Sequence, residues 1–128
     1  MNWLTITEQS GRFQPSISKV NGFVVGVSGG VDSAVTSTLC AMTGLEVMCL
    51  EMPIHQPESQ VNRAWEHIHM LQEKYPNVQA VGINLTPLFD QFLAMLPQQV
   101  NNADHEMALV NTRARLRMTT LYYYGQLH

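Results

Sequence analysis

The chain has 128 residues, 45% of them hydrophobic, and a net charge of −3, enough for one domain with a modest core and too acidic for a general nucleic-acid-binding field. No stretch reaches the ~18 apolar residues of a membrane span, and no basic-then-apolar leader opens the chain, so the expectation is one cytoplasmic domain without nucleic acid or membrane as partner. Cys40, on an apolar helix stripe, and Cys49, in a strand-like run, read as small core residues rather than a disulfide or metal pair.

Met1 to Lys19 is poorly patterned. Trp3, Leu4 and Ile6 admit a short helix or a segment lying across a sheet, interrupted by Gly11 and Pro15. Phe23-Val24-Val25-Gly26-Val27 is a short β-branched run of the kind buried on both faces. Ser33 to Met42 carries apolar residues at helical spacing and ends at Gly44, a C-cap signal. A second strand, Glu46 to Glu51, is stopped by Pro53. Val61, Trp65, Ile68 and Leu71 mark one face of a helix from about Glu58 to Tyr75, which Pro76 terminates. Val78 to Ile83 reads as a third strand, and Thr86-Pro87 as N-cap and first turn of a helix carrying Leu88, Phe89, Phe92 and Met95. Pro97 ends it, and Asn101 or Asn102 caps the last helix, which runs to about Tyr124. Strands alternating with helices in this order predict an α/β domain with a doubly wound parallel sheet. Ligands of such sheets sit at the carboxyl ends of the strands.

That edge carries Gly26-Val27-Ser28-Gly29-Gly30-Val31-Asp32-Ser33 between the first apolar run and the first long helix. Glycines let the backbone approach a ligand closely. The N–H groups of the turn and of the helix start point to one place, which the helix dipole makes favourable for negative charge. Ser28 and Ser33 add hydroxyl donors, and Asp32 a carboxylate suited to Mg²⁺ beside phosphates. The lysine-bearing P-loop pattern fails, because Val31 and Asp32 follow Gly30. The dinucleotide Gly-x-Gly-x-x-Gly spacing fails too. An ordinary glycine-serine turn is the bland alternative, and six residues of this identity in this setting weigh against it. Ser-Gly-Gly-Val-Asp-Ser resembles the signature loop of the N-type ATP pyrophosphatases, which split ATP between the α and β phosphates to adenylate a substrate. The loop alone gives that half-reaction and not the substrate.

The last helix contains Asn111-Thr112-Arg113-Ala114-Arg115-Leu116-Arg117-Met118. At about 100° per residue Arg113 and Arg117 align, Arg115 aligns with Asn111 and Thr119, and Ala114, Met118 and Leu121 form a stripe suited to packing. Taken alone, an arginine face with an asparagine reads either as a carboxylate or phosphate holder or as a solvated, salt-bridged surface. The run Leu109 to Met118, followed by Leu121-Tyr122, resembles the helix of bacterial NAD synthetases and stands at the right distance beyond the loop. GMP synthetases share the loop but not this helix.

The resemblance covers roughly Val20 to His128. It implies a doubly wound sheet of the adenine nucleotide alpha hydrolase type and ATP-dependent amidation of deamido-NAD through an adenylated intermediate, with pyrophosphate released. Gly26 through Ser33 would bind ATP, Asp32 would bind Mg²⁺, and Arg115 with Asn111 would contact deamido-NAD. Ammonia or a glutaminase domain would supply nitrogen, and the last two helices would form a homodimer interface. No catalytic side chain is implied. Two departures stand out. Glu51 occupies a place where many members carry an arginine close to the adenine, which leaves backbone near Leu50 to Met52, or Gln56, for that contact. The family also continues beyond the equivalent of His128, so the chain reads as the N-terminal half of a synthetase domain, truncated and inactive alone. A non-catalytic nucleotide-binding or dimerising remnant, and a GMP-type synthetase, are the alternatives. His67 and His69 point apart on a helix and, with His55 and His105, do not form a metal pattern; the eight methionines read as core filler, and Tyr122-Tyr123-Tyr124 as a partly exposed packing patch.

Overall fold

In β2 (Gly22–Gly26) the period-two alternation of a strand sends Phe23 and Val25 to one face of the sheet and Val24 to the other, and all three are buried. A computed structural model describes residues 3–6, 21–97 and 102–127. Around β2 stand β1 (Trp3–Ile6), β3 (Glu46–Glu51) and β4 (Val78–Gly82), all parallel, in the order β1-β2-β3-β4. Between β2 and β3 runs α1 (Val31–Met42), and between β3 and β4 runs α2 (Glu58–Lys74). After β4 come α3 (Thr86–Met95) and α4 (Ala103–Leu127). Cys40 and Ala41 of α1, with Ala64, Ile68 and Leu71 of α2, pack over Phe23, Val25, Val47 and Cys49. On the opposite face Phe89 of α3 and Leu121 of α4 cover Val24, Met48 and Leu50. Helices on both faces of a parallel sheet are the doubly wound arrangement expected from the element order.

Two local expectations are corrected, and a third is made definite. Residues 3–6 form neither a helix nor a segment lying across the sheet: they pair along β2, Trp3 opposite Gly22 and Ile6 opposite Val25. Backbone pairing and the contact of α4 with β1 hold this short strand, and neither leaves a mark in four residues. Thr86 is the first residue of α3 rather than its cap, which is Leu85. The Thr86 hydroxyl instead accepts the backbone N–H of His55 at 2.9 Å, tying α3 to the segment after β3. At α4, Asn102 is the cap, its Oδ1 accepting the His105 N–H at 2.9 Å, while Asn101 lies outside the described residues. The helix continues past Tyr124 through Gly125 to Leu127. A Cβ on Gly125 would stand 2.5 Å from Thr5 Oγ1, so glycine is what allows α4 to lie against β1.

Cys40 and Cys49 are fully buried free thiols, as their apolar settings predict. Burial pushes both up to about 12, the neighbouring Cys49 adding to the effect at Cys40. Thiolate is the reactive form, so the folded chain should not react with a thiol reagent such as Ellman's at pH 8. Two thiols should react once denaturant is added, and rapid labelling without denaturant would contradict their burial.

Candidate functional site

β2 ends where its neighbour still pairs with it. The Val27 N–H donates to the Leu50 carbonyl at 2.8 Å, and the chain then turns through Ser28, Gly29 and Gly30 into α1. Gly29 takes φ +86°, and a Cβ there would stand 2.7 Å from the Gln60 carbonyl oxygen. Both facts require glycine. The Gln60 side chain closes the other side, its Nε2 donating to the Ser28 carbonyl at 2.9 Å. The two serine hydroxyls hold the turn from inside. Ser33 Oγ accepts the Ser28 N–H at 3.1 Å and donates to the Gly30 carbonyl at 3.3 Å, and Ser28 Oγ lies 3.2 Å from it. Among the described residues no side chain caps α1 at Gly30, so its first-turn N–H groups keep the positive end of the helix dipole open. Asp32 is exposed in that first turn.

Beside the loop a cleft of about 240 Å³ opens between α2 and α4, at the carboxyl ends of β2 and β3. Gly26, Val27 and Ser28 form its floor next to Glu51 and Met52. Gln56, Gln60 and Val61 line one wall; Ala114, Arg117, Met118 and Leu121 line the other. Arg117 is tied down by an Nε–H bond to the Met52 carbonyl at 3.0 Å. Glu51 is only 6% exposed. Its Oε1 accepts the indole N–H of Trp65 at 3.1 Å. Burial raises its carboxyl above the ordinary range, and the Trp65 bond and the Arg117 charge draw it partly back.

The predicted residues separate accordingly. Of the predicted loop, Gly26, Val27 and Ser28 line the cleft together with Met52 and Gln56, while Gly29 to Ser33 lie beside it and do not line it. Arg115 and Asn111 do not line it; both are exposed on the outward face of α4. Arg113 and Arg117 share the inward face, Arg113 lying 5.7 Å from the centroid of the Phe89 ring. Gln60 and the bond from Trp65 to Glu51 escape sequence reasoning, because helical spacing marks Trp65 only as an apolar-face residue and gives Gln60 no signal. The histidines go separate ways: His55 pairs with Asp90 at 2.6 Å, His69 lies against Trp65, and His67 Nε2 is 2.9 Å from Ser37 Oγ. Among the described residues no group of three His, Cys, Asp or Glu could hold a metal, and no helix is long and apolar enough to cross a membrane.

Ser37 Oγ lies 2.7 Å from the Ser33 carbonyl and 2.9 Å from His67 Nε2, and the second contact links α1 to α2. Burial holds His67 below its ordinary 6.5, and a bond to the Ala34 backbone opposes this. The unfolded chain therefore takes up the proton first as pH falls. The contribution of His67 is fully present above about 6.5 and is lost as pH drops through its own lower value. Denaturant unfolding at pH 8 and pH 5 should show a smaller acid-induced loss for His67→Gln than for the parent chain. Equal losses would show that His67 is not linked to stability.

Fold and site together define a parallel α/β domain of Rossmann-like type with a glycine-serine loop and an adjoining cleft at the carboxyl edge of its sheet. The chain belongs to the NAD synthase family, whose model matches residues 14–128. It is 34% identical to an NH₃-dependent NAD⁺ synthetase of Malacoplasma penetrans, over 98% of this chain and 44% of that protein. A synthetase of the same name from Pyrobaculum aerophilum is 36% identical over 81% of this chain and 38% of its own length. The solved structure of an NMN synthetase from Francisella tularensis superimposes with a TM-score of 0.68 at 36% identity, covering 84% of this chain and 42% of that one. The chain thus spans less than half the length of these relatives.

Proposed function

We propose that this chain, as a single domain over residues 1–128, carries the ATP-binding half of an enzyme that amidates the nicotinate carboxylate of deamido-NAD. Adenylation comes first, with pyrophosphate leaving, and ammonia or a glutaminase partner then supplies the nitrogen that displaces AMP. The observation that carries this reading is the joining of the glycine-serine loop, the uncapped start of α1 and the cleft at one sheet edge. Backbone donors from Gly29 to Ser33, beyond the Val27 and Ser28 N–H groups already engaged inside the fold, receive the phosphates, and the cleft receives the adenosine, with Met52, Val61 and Met118 around it and Gln56 as a polar contact. Asp32 fits a Mg²⁺ that arrives on the phosphates, because that ion is held by one or two carboxylates plus substrate oxygens. When bound it would neutralise the charge gathering on the leaving pyrophosphate. The chain's own part is positioning and donor alignment, with no nucleophilic side chain required.

Arg115 and Asn111 face outward on α4, as do Met107 and Tyr122, and on α3 Phe92 and Met95 are exposed as well. A second copy packed on these helices would cover that apolar surface and bring deamido-NAD against Arg115 and Asn111 between subunits. The likeness to an NMN synthetase favours a second acceptor for testing, nicotinate mononucleotide, which offers the same carboxylate. Calorimetric titration of the chain with ATP and Mg²⁺ tests the proposal. Saturable binding is expected, tightened by whichever of deamido-NAD and nicotinate mononucleotide is the acceptor. No binding of ATP would refute it, and tightening by xanthylate alone would move the chain to the GMP type.

A further inference from the structure

Glu51 is a buried carboxylate at the last position of β3, on the floor of the cleft. Buried carboxylates are rare unless paired, and this one is held by a device built from three elements. The Trp65 indole N–H from α2 fixes one oxygen at 3.1 Å. The Trp65 ring lies over Gly82, the β4 residue in register with Glu51, where any Cβ would stand 2.7 Å from Trp65 Cζ2. Arg117 on α4 supplies opposite charge from the facing wall. A carboxylate has about four lone-pair sites. The indole uses one, and Glu51 is among the residues that line the cleft.

The register fixes what this carboxylate can reach. Gly26 lies opposite Leu50, and Val27 donates to the Leu50 carbonyl, so Glu51 is one residue along and one strand over from the start of the loop. A phosphate chain on the loop and α1 places the sugar, the next group of the nucleotide, over the end of β3. In dinucleotide-binding sheets an acidic residue in the same topological place, about 20 residues beyond the glycine turn, takes ribose hydroxyls. Glu51 stands about that far beyond Gly30 and ends the next strand, although the loop itself has a different pattern.

We infer that Glu51, oriented by Trp65 over Gly82, is the ribose-reading residue of the cleft: its carboxylate accepts the 2′- or 3′-hydroxyl of the nucleotide bound at the loop. This rests on the ATP reading above and adds selection of ribonucleotides over deoxyribonucleotides.

The test is calorimetry of the full chain with Mg²⁺ and four nucleotides: ATP, 2′-deoxy-ATP, 3′-deoxy-ATP and N6-methyl-ATP, repeated with Glu51→Gln. At least one deoxy analogue should bind about tenfold or more weaker than ATP, while N6-methyl-ATP binds like ATP. In Glu51→Gln the preference for ATP over that analogue should collapse, a change that a merely structural role for Glu51 would not produce. ATP and both deoxy analogues binding the parent chain equally would overturn the inference and leave the ATP site standing. So would weakening by the N6-methyl group alone, because Glu51 would then read the base. If the parent chain binds none of the four, the ATP reading itself fails and this inference with it.

Discussion

Gly29→Ala should weaken ATP binding by about tenfold or more and lower the stability of the chain by roughly 2 kcal/mol. Two independent penalties meet at this residue. A side chain at φ +86° costs about 1–2 kcal/mol in left-handed backbone. The new Cβ would also stand 2.7 Å from the Gln60 carbonyl, inside the first turn of α2, where backbone and not a flexible tip must yield. The loop can relieve the clash only by moving Ser28, whose carbonyl is held by Gln60 Nε2 and whose N–H is held by Ser33. That movement would turn the donors away from a common point, so binding falls further than stability alone accounts for. Calorimetry with ATP and thermal unfolding check this, with a Tm lowered by roughly 5–10 °C expected. Unchanged ATP affinity in the Ala variant would show that the turn is not the phosphate cradle.

The largest loss of stability is expected at Ile68. It is fully buried on α2, between the sheet and α1, in the cluster with Val47, Cys49 and Leu71. Ile68→Ala removes three carbons from a close-packed layer and leaves a cavity that the surrounding strands cannot fill, a change worth about 2–5 kcal/mol. Against a total of about 5–15 kcal/mol this is a large share. Denaturant unfolding should show a lower midpoint with little change in slope. Met70, two residues away and 45% exposed, serves as the control. Met70→Ala should shift stability by no more than about 0.5 kcal/mol. A similar small shift for Ile68→Ala would mean that α2 does not pack on the sheet through this face.

Glu46–Glu51 and the apolar run of β2 were legible in sequence because both strands are covered on two faces, so their residues need no alternation of polarity. The glycine-serine loop was legible for another reason: positive φ and close backbone approach leave glycine as the fitting residue, and the requirement is local. β1 was not legible, because a four-residue edge strand is held by its neighbour and by α4 rather than by its own composition. Thr86 has the chemistry of a cap and the position next to one, whereas its hydroxyl serves a distant N–H. In α4, helical spacing correctly grouped Arg113 with Arg117 and Arg115 with Asn111. Which group faces inward is decided by the packing stripe, since Leu121 is buried and Ala114 and Met118 lie beside it over the cleft. The cleft walls are tertiary throughout. Gln60 on Ser28, Arg117 on Met52 and Trp65 on Glu51 join residues 14 to 65 positions apart, and no local pattern encodes such pairs.

The central claim is that main-chain donors of the turn after β2 receive the phosphates of a nucleotide. A crystal structure of the chain with Mg²⁺ and a non-hydrolysable ATP analogue tests it directly. Phosphate oxygens within hydrogen-bond reach of the N–H groups between residues 28 and 33, with the adenosine in the cleft under α4, are the predicted result. An analogue bound elsewhere on the protein, with that turn unoccupied at saturating concentration, would contradict the account.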